Sequence, residues 1–285
     1  MHGKNMKELE NCYFKYTTLN QNVIHSLLSE QLWHAEADSL NDPFEFNFAF
    51  KEGIKAENAD DLARILKENR YFVKEEEVEA EKEFYLKLFV KGDLDKVRTE
   101  IENAKNVMKT AIRSTIDKVN FLVCSLSKKY DNSMMWCHYA DGLKGICIAY
   151  DIDLLYESDL SFKDVKYSES AREIDFEKAY KSIILGEVST KEEDEFDLFS
   201  ILLSKHDKWK DEHEVRSICV GDEDEIIIKG SSYQLSNNTI KAIIYGSKIR
   251  KTELEILQNL SQKLNFSLYK ATPKHGTFSV ETAEG

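Results

Sequence analysis

Three short apolar runs constrain this chain more than anything else in it. "NFLVCSLS" (120–127), "KGICIAYD" (144–151) and "TIKAIIYG" (239–246) are too short for a typical helix and are bounded by Asn, Gly, Asp or Ser. The first reads as a buried strand and the other two as strands. The segments between them are not evenly spaced helices. "CYFKYTTL" (12–19) reads as a further strand, followed by a helical pattern over 20–32, and the alternation of Phe44, Phe46, Phe48 and Phe50 predicts an extended segment after a turn at Asn41-Asp42-Pro43. Residues 58–119 carry a helical rhythm, clearest at Val97, Ile101, Ala104, Met108, Ala111, Ile112, Thr115 and Val119, and the run "KEEEVEAEKE" (74–83) reads as a solvated helix face.

Farther on, "NSMMWCHYADG" (132–142) reads as a short helix closed by glycine, and 169–203 as a second acidic helical stretch. "DEIIIKG" (224–230) and "NFSLYKA" (265–271) read as strands. The helix over 252–264 has Thr252 and Glu255 at capping-box spacing. This order implies an α+β fold rather than a βαβ repeat.

With 42% hydrophobic residues in 285, the chain can bury a sizeable core. Only 2 prolines and 11 glycines are present and no Ser/Gly- or Pro-rich linker appears, so the expectation is one elaborated domain over 1–285. Its core strands lie at about 12–57 and 120–272, with a helical insertion at about 58–119. The N-terminus lacks an apolar h-region and no run of 18 apolar residues occurs, which points to a soluble, cytoplasmic protein without membrane contact.

The five cysteines (12, 124, 137, 147, 219) form no CxxC pair and read as reduced core residues, with no metal site implied. A net charge of -13 argues against wrapping of nucleic acid through a broad basic face and leaves a local basic groove open. Neither GxGxxG nor GxxxxGK[ST] is present, so Rossmann and P-loop nucleotide sites lack support.

Candidate chemistry concentrates in three places. In "KWKDEHEVRSICV" (208–220), a strand starting by residue 212 would put Glu212, Glu214 and Arg216 on one face and Val215, Ser217 and Cys219 on the other. An edge-strand salt bridge is the plainer alternative. The apolar continuation Ile218 and Val220, with Trp209 and His206 before the cluster, argues that these charges are shielded. In "LNDPFE" (40–45) the Asn and Asp build a turn, and Asp42 with Glu45 gives only a weak metal signal. In "MMWCHYADGLKG" (134–145), Trp136, His138 and Tyr139 form an aromatic surface suited either to packing or to bordering a flat ring.

Taken together, "FKYTTL", "LNDPFE", "CSLS", "MMWCHYADGLKGICIAYD" and "KHDKWKDEHEVR" resemble, over roughly residues 12–270, a widespread bacterial and phage family of unknown function. Its motif order is in turn similar to that of ADP-ribosyltransferases. That similarity implies a split β-sheet core and NAD as substrate. Glu214 would face the charge that develops as nicotinamide leaves, Glu212 the acceptor, and Lys15 and Tyr16 the ribose or diphosphate. Ser125 or Ser127 would occupy the second strand, while Trp136, His138 and Tyr139 border the pocket. Arg216 would pair with Glu214 or bind a phosphate.

The family's distribution implies a toxin or phage-defence effector, with an antitoxin or defence-system partner. The acceptor is open between protein, RNA, DNA and water. Two other readings stand beside it: a non-catalytic module that senses a nucleotide or a partner, and a metal-dependent hydrolase or nuclease built on Asp42, Glu45, Glu212 and Glu214.

Overall fold

The computed structural model describes residues 6–51, 94–119, 121–183, 197–220 and 230–285. Its strands are β1 (Cys12–Thr17), β2 (Gln31–Glu36), β3 (Phe48–Phe50), β4 (Phe121–Ser127), β5 (Ile146–Asp151), β6 (Phe162–Asp164), β7 (Lys166–Ser168), β8 (Arg172–Ile174), β9 (Ser204–His206), β10 (Glu214–Val220), β11 (Gly230–Gln234), β12 (Ile240–Gly246), β13 (Ser267–Pro273) and β14 (Val280–Glu284). The α-helices are α1 (Gln21–Leu28), α2 (Leu94–Lys118), α3 (Ser133–Tyr139), α4 (Ile152–Glu157), α5 (Phe176–Ile183), α6 (Phe199–Leu202) and α7 (Lys251–Leu264). The fold is mixed α+β with a mostly antiparallel sheet.

The chain divides into two compact units, one of residues 1–43, 120–169 and 205–285, the other of 44–119 and 170–204. In the first unit the strand order is β11-β2-β4-β1-β5-β12-β13-β14, with β10 lying between β4 and β6. β10 pairs with β4 over its whole length, from Glu214 opposite Ser127 to Val220 opposite Phe121. The other edge of β4 is divided: β2 meets it at Leu122 and Val123, β1 only at Ser127. The sheet therefore parts between β1 and β2.

Alternation along the strands gives each face its own core. Cys124, Leu126, Ile148, Tyr150, Val215 and Ile243 point to one side, where Leu27 of α1, Leu155 of α4, and Leu257 and Leu260 of α7 cover them. Phe14, Tyr16, Cys147, Ala149 and Ile244 point to the other, where Trp136 and Ala140 pack. The helices begin at residues that satisfy free backbone amides. Asn20 accepts from the Val23 N–H at 3.0 Å and Asp151 from that of Leu154 at 3.1 Å. The loop after α3 is held so closely that a Cβ on Gly246 would sit 2.1 Å from the Leu143 carbonyl oxygen, and one on Gly145 2.4 Å from that of Thr17.

In the second unit, β3 and β8 form a parallel pair, Phe50 meets Phe176 edge-on at 5.3 Å, and α2 packs against α5. Met108, Ile112 and Ile116, four residues apart, form the buried stripe of α2. The part of the helical reading over 58–93 lies outside the described residues, as does the strand read at 224–229.

Several boundaries differ from the sequence pattern. The helix read over 20–32 stops at Leu28, because Glu30 takes a left-handed conformation (φ 49) and β2 follows. The Phe alternation yields only Phe48–Phe50 as strand: Phe46 has φ 58, which breaks the pleat, and Phe44 is exposed. The stretch 169–203 contains β8 as well as helix. At α7 the cap lies two residues earlier than Thr252 and Glu255: the Glu253 carboxylate accepts the Arg250 N–H at 3.3 Å and pairs with its guanidinium.

Among the cysteines, 12, 124 and 147 are buried core residues and Cys219 is half-buried, whereas Cys137 is exposed on the outer side of α3. No described helix is long and apolar enough to cross a membrane.

Candidate functional site

The acidic pair converges, but not through a strand pleat. Glu212 closes a 3-10 helix (Asp207–Glu212) and His213 takes a left-handed conformation (φ 47), so β10 begins only at Glu214. The expectation that 212 lies in the strand is corrected by that kink. What brings the carboxylates together is Lys205 of β9, whose Nζ donates to Glu212 Oε2 at 2.7 Å and to Glu214 Oε2 at 3.1 Å.

Arg216 completes the network from the next same-face position. Its Nε donates to Glu214 Oε1 at 2.7 Å and a terminal nitrogen to Oε2 at 3.2 Å, a forked contact that Arg geometry favours. Side-chain exposure is 6% for Lys205, 10% for Glu212, 5% for Glu214 and 1% for Arg216. Two anions and two cations thus share one nearly dry volume. β10 is flanked by β4 and β6, so an edge-strand salt bridge does not describe it.

Uncharged groups hold the charges in place. The Tyr139 hydroxyl donates to Glu212 Oε1 at 2.9 Å. Ser125, opposite Arg216 on β4, helps to hold the Glu214 carboxyl down. Ser127 acts on the backbone instead: it donates to the Glu212 carbonyl at 2.6 Å and accepts the Lys129 N–H at 3.0 Å. The Tyr167 hydroxyl, pushed up to about 12 by burial and its acidic neighbours, accepts the Glu214 N–H at 2.9 Å.

Burial by itself would raise the Glu214 carboxyl, yet Arg216, Lys205 and Ser125 outweigh it and hold the group below its ordinary value of 4.5. Glu214 is therefore an ionised, immobilised carboxylate.

Asn132 positions Tyr139 by capping α3, accepting the Met134 N–H at 2.8 Å, and its amide also donates to the Asp211 carbonyl. The rest of the aromatic surface divides. Trp136 is a core residue at 1% exposure, its indole N–H on the Tyr130 carbonyl at 2.9 Å, and so does not border an open pocket. His138 is exposed and lies edge-on to Trp209 at 6.3 Å, while the Lys205 ammonium sits 5.1 Å from the centre of the Trp209 ring.

The first-strand pair divides as well, because neighbours on a strand point to opposite faces. Tyr16 lies on the Glu214 side but is buried, its hydroxyl on the Lys129 carbonyl at 2.8 Å and its ring edge-on to Trp136. Lys15 projects to the opposite face and lines a cavity of about 540 Å³ with residues of α1, β2 and β5. The structure thus gathers Glu212, Glu214, Arg216, Ser125 and Tyr139, and leaves Lys15 outside the group.

Asp42 and Glu45 are both buried. Among the described residues no group of three or more His, Cys, Asp or Glu is arranged to hold a metal ion.

Two members of the cluster had no role assigned from sequence. Lys205 opens the quoted "KHDKWKDEHEVR" segment, and its place four residues before Trp209 and in front of two acids was the available signal. Tyr167, on a three-residue strand, carried none.

No curated protein and no solved structure matches the chain. Residues 135–217, which run from α3 through the acidic segment into β10, match the model of a protein family of unknown function (DUF2971), and so support an uncharacterised family for this part of the chain.

Proposed function

We propose that the chain is an ADP-ribosyltransferase-like enzyme that takes NAD as substrate, with Glu214 facing the charge that develops on the ribose. The observation that carries this reading is a carboxylate buried at 6% exposure yet held ionised and fixed at the head of an internal strand. As the bond from ribose to nicotinamide breaks, its electron pair goes to the ring nitrogen and positive charge appears on the sugar. A preset anion in a site with little water opposes that charge without reorganising. Glu212, bonded to Tyr139, stands beside it on the acceptor side.

For Glu214 to act, Lys205 has to turn away from it, and the 3.1 Å contact is the longer of the two that this lysine makes. The resemblance supplies the setting: a cytoplasmic effector of a toxin or phage-defence system.

A second reading is favoured by one specific observation, the pairing of both carboxylates with the cations Lys205 and Arg216. Carboxylates already held by cations suit a non-catalytic module that senses NAD or a partner.

Incubation with labelled NAD and cell extract separates the two. The transferase releases nicotinamide and labels an acceptor, and Glu214→Gln, with folding checked by circular dichroism, lowers the rate by about 10²-fold or more. Transfer undiminished in that variant overturns the role of Glu214. The sensing module instead shows a melting temperature raised by NAD with no nicotinamide released.

A further inference from the structure

We propose that the cavity in the parting of the sheet between β1 and β2 is a binding site for a phosphorylated nucleoside of mononucleotide size. Its volume, about 540 Å³, lies within the range of small-molecule sites. β1 and β2 each pair with β4 but not with each other, so a wedge opens between them, and α1 closes one side.

The charge of the lining is distinctive. The chain carries 52 acidic residues and a net charge of -13, yet among the described residues no Asp or Glu lines this cavity. Its Lys15 is half-buried, and among the described residues the ammonium has no carboxylate partner. Its contact is the Cys124 Sγ at 3.3 Å. Burial raises the Cys124 thiol more than Lys15 lowers it, so the sulfur is a neutral, weak acceptor. An ammonium has three donors, and two remain for a ligand. A half-buried cation with only a thiol against it is matched by an anion brought from outside, and a phosphate monoester is suited to it.

The rest of the lining selects what the anion is attached to. Trp33 and the almost fully buried Tyr150 are among the lining residues, and Val23, Leu27, Leu32 and Ile148 give an apolar wall. Among the described residues, the side chains of Asn22, Ser26 and Ser232 make no hydrogen bond to the protein, leaving donors and acceptors for the hydroxyls and ring edge of a nucleoside. An alkyl chain would leave these groups unanswered, which disfavours a fatty carboxylate.

This inference does not depend on the transferase reading. Lys15, Ile148 and Tyr150 project from the face opposite Glu214, and no residue of the charged cluster lines the cavity.

Titration calorimetry and thermal shift on the full chain test it, with AMP, GMP, CMP and UMP as probes and adenosine, inorganic phosphate and octanoate as comparisons. At least one monophosphate binds and raises the melting temperature, its nucleoside alone binds at least tenfold more weakly, and Lys15→Met costs at least tenfold in affinity. Ser26→Phe, which fills the cavity from α1 without touching the cation, abolishes binding and keeps the test decisive should Lys15→Met fold poorly. Absence of binding by all four monophosphates overturns the proposal, as does octanoate binding in their place or affinity indifferent to both substitutions. Because no probe carries nicotinamide, failure here is distinguishable from failure to turn over NAD.

Discussion

On one face of the sheet, around the head of β10, two carboxylates, a lysine and an arginine pair with one another almost out of reach of solvent. On the other, in the wedge between β1 and β2, a single lysine leans on a thiol beside an open cavity. Both regions depend on β4, whose Ser125 serves the first and whose Cys124, one residue away, serves the second. In the cluster, removing either sign strands the other in a dry interior. In the wedge, the cation can be removed without leaving an orphan. The same type of residue is therefore structural in one place and available to a ligand in the other.

Arg216→Met against Lys15→Met is the sharpest way to break this comparison. Loss of Arg216 leaves Lys205 as the one cation of the cluster on Glu214, at 5% exposure, and is expected to cost about 3–5 kcal/mol, roughly 10 °C in melting temperature. Lys15→Met is expected to change stability by no more than about 1 kcal/mol, because it exchanges a cation held only by a thiol for an apolar chain of similar length. Urea titrations of the two variants measure both. Equal losses would show that Lys15 is as fully committed to the fold as Arg216.

How much of this was readable beforehand follows from what each feature depends on. The strands at 121–127, 146–151 and 240–246 were legible because a continuous apolar run of that length has few other uses. β2 was hidden by a helical pattern running into it, and the short strands β6 to β9 lack enough residues to show any period. At the site, the grouping of Glu212, Glu214 and Arg216 was visible as adjacency, but its cause was not. It rests on a left-handed His213 and on Lys205, which is brought in by the pairing of β9 with β7. The split of Lys15 from Tyr16 follows from strand alternation alone. The expectation of joint function came from the resemblance, not from the pleat.

The two faces also separate in pH. The lowered Glu214 carboxyl contributes stability that is fully present above its unfolded value and is lost as pH falls below 4.5 through the folded value. His34, on β2 and wholly buried, is driven down from 6.5 to about 4, chiefly by burial, and so stays neutral in the fold while the unfolded chain takes up a proton. Its contribution is present above 6.5 and declines as pH falls from 6.5 toward 4, by up to about 3 kcal/mol. Stability measured from pH 7 to 3 should fall in two stages. His34→Phe removes the upper stage and Glu214→Gln with Arg216→Met the lower. A single stage unaffected by His34→Phe would mean that the histidine is protonated in the fold.

The smallest effect tests how finely the cluster is held. Tyr139→Phe deletes one hydroxyl that donates to Glu212 at 2.9 Å and leaves the ring packed, so the carboxylate keeps Lys205 but loses its neutral donor. A hydrogen bond to a charged acceptor is worth about 1.5–3 kcal/mol when well buried, and at a half-buried tyrosine about 1 kcal/mol is expected. Repeating the substitution in a Lys205→Met background gives the coupling. If the cluster acts as one unit, Tyr139→Phe costs more there, because Glu212 then has no partner of either kind among these three groups. If the two losses simply add, the hydroxyl and the ammonium hold Glu212 independently, and the network is a set of pairs rather than a unit.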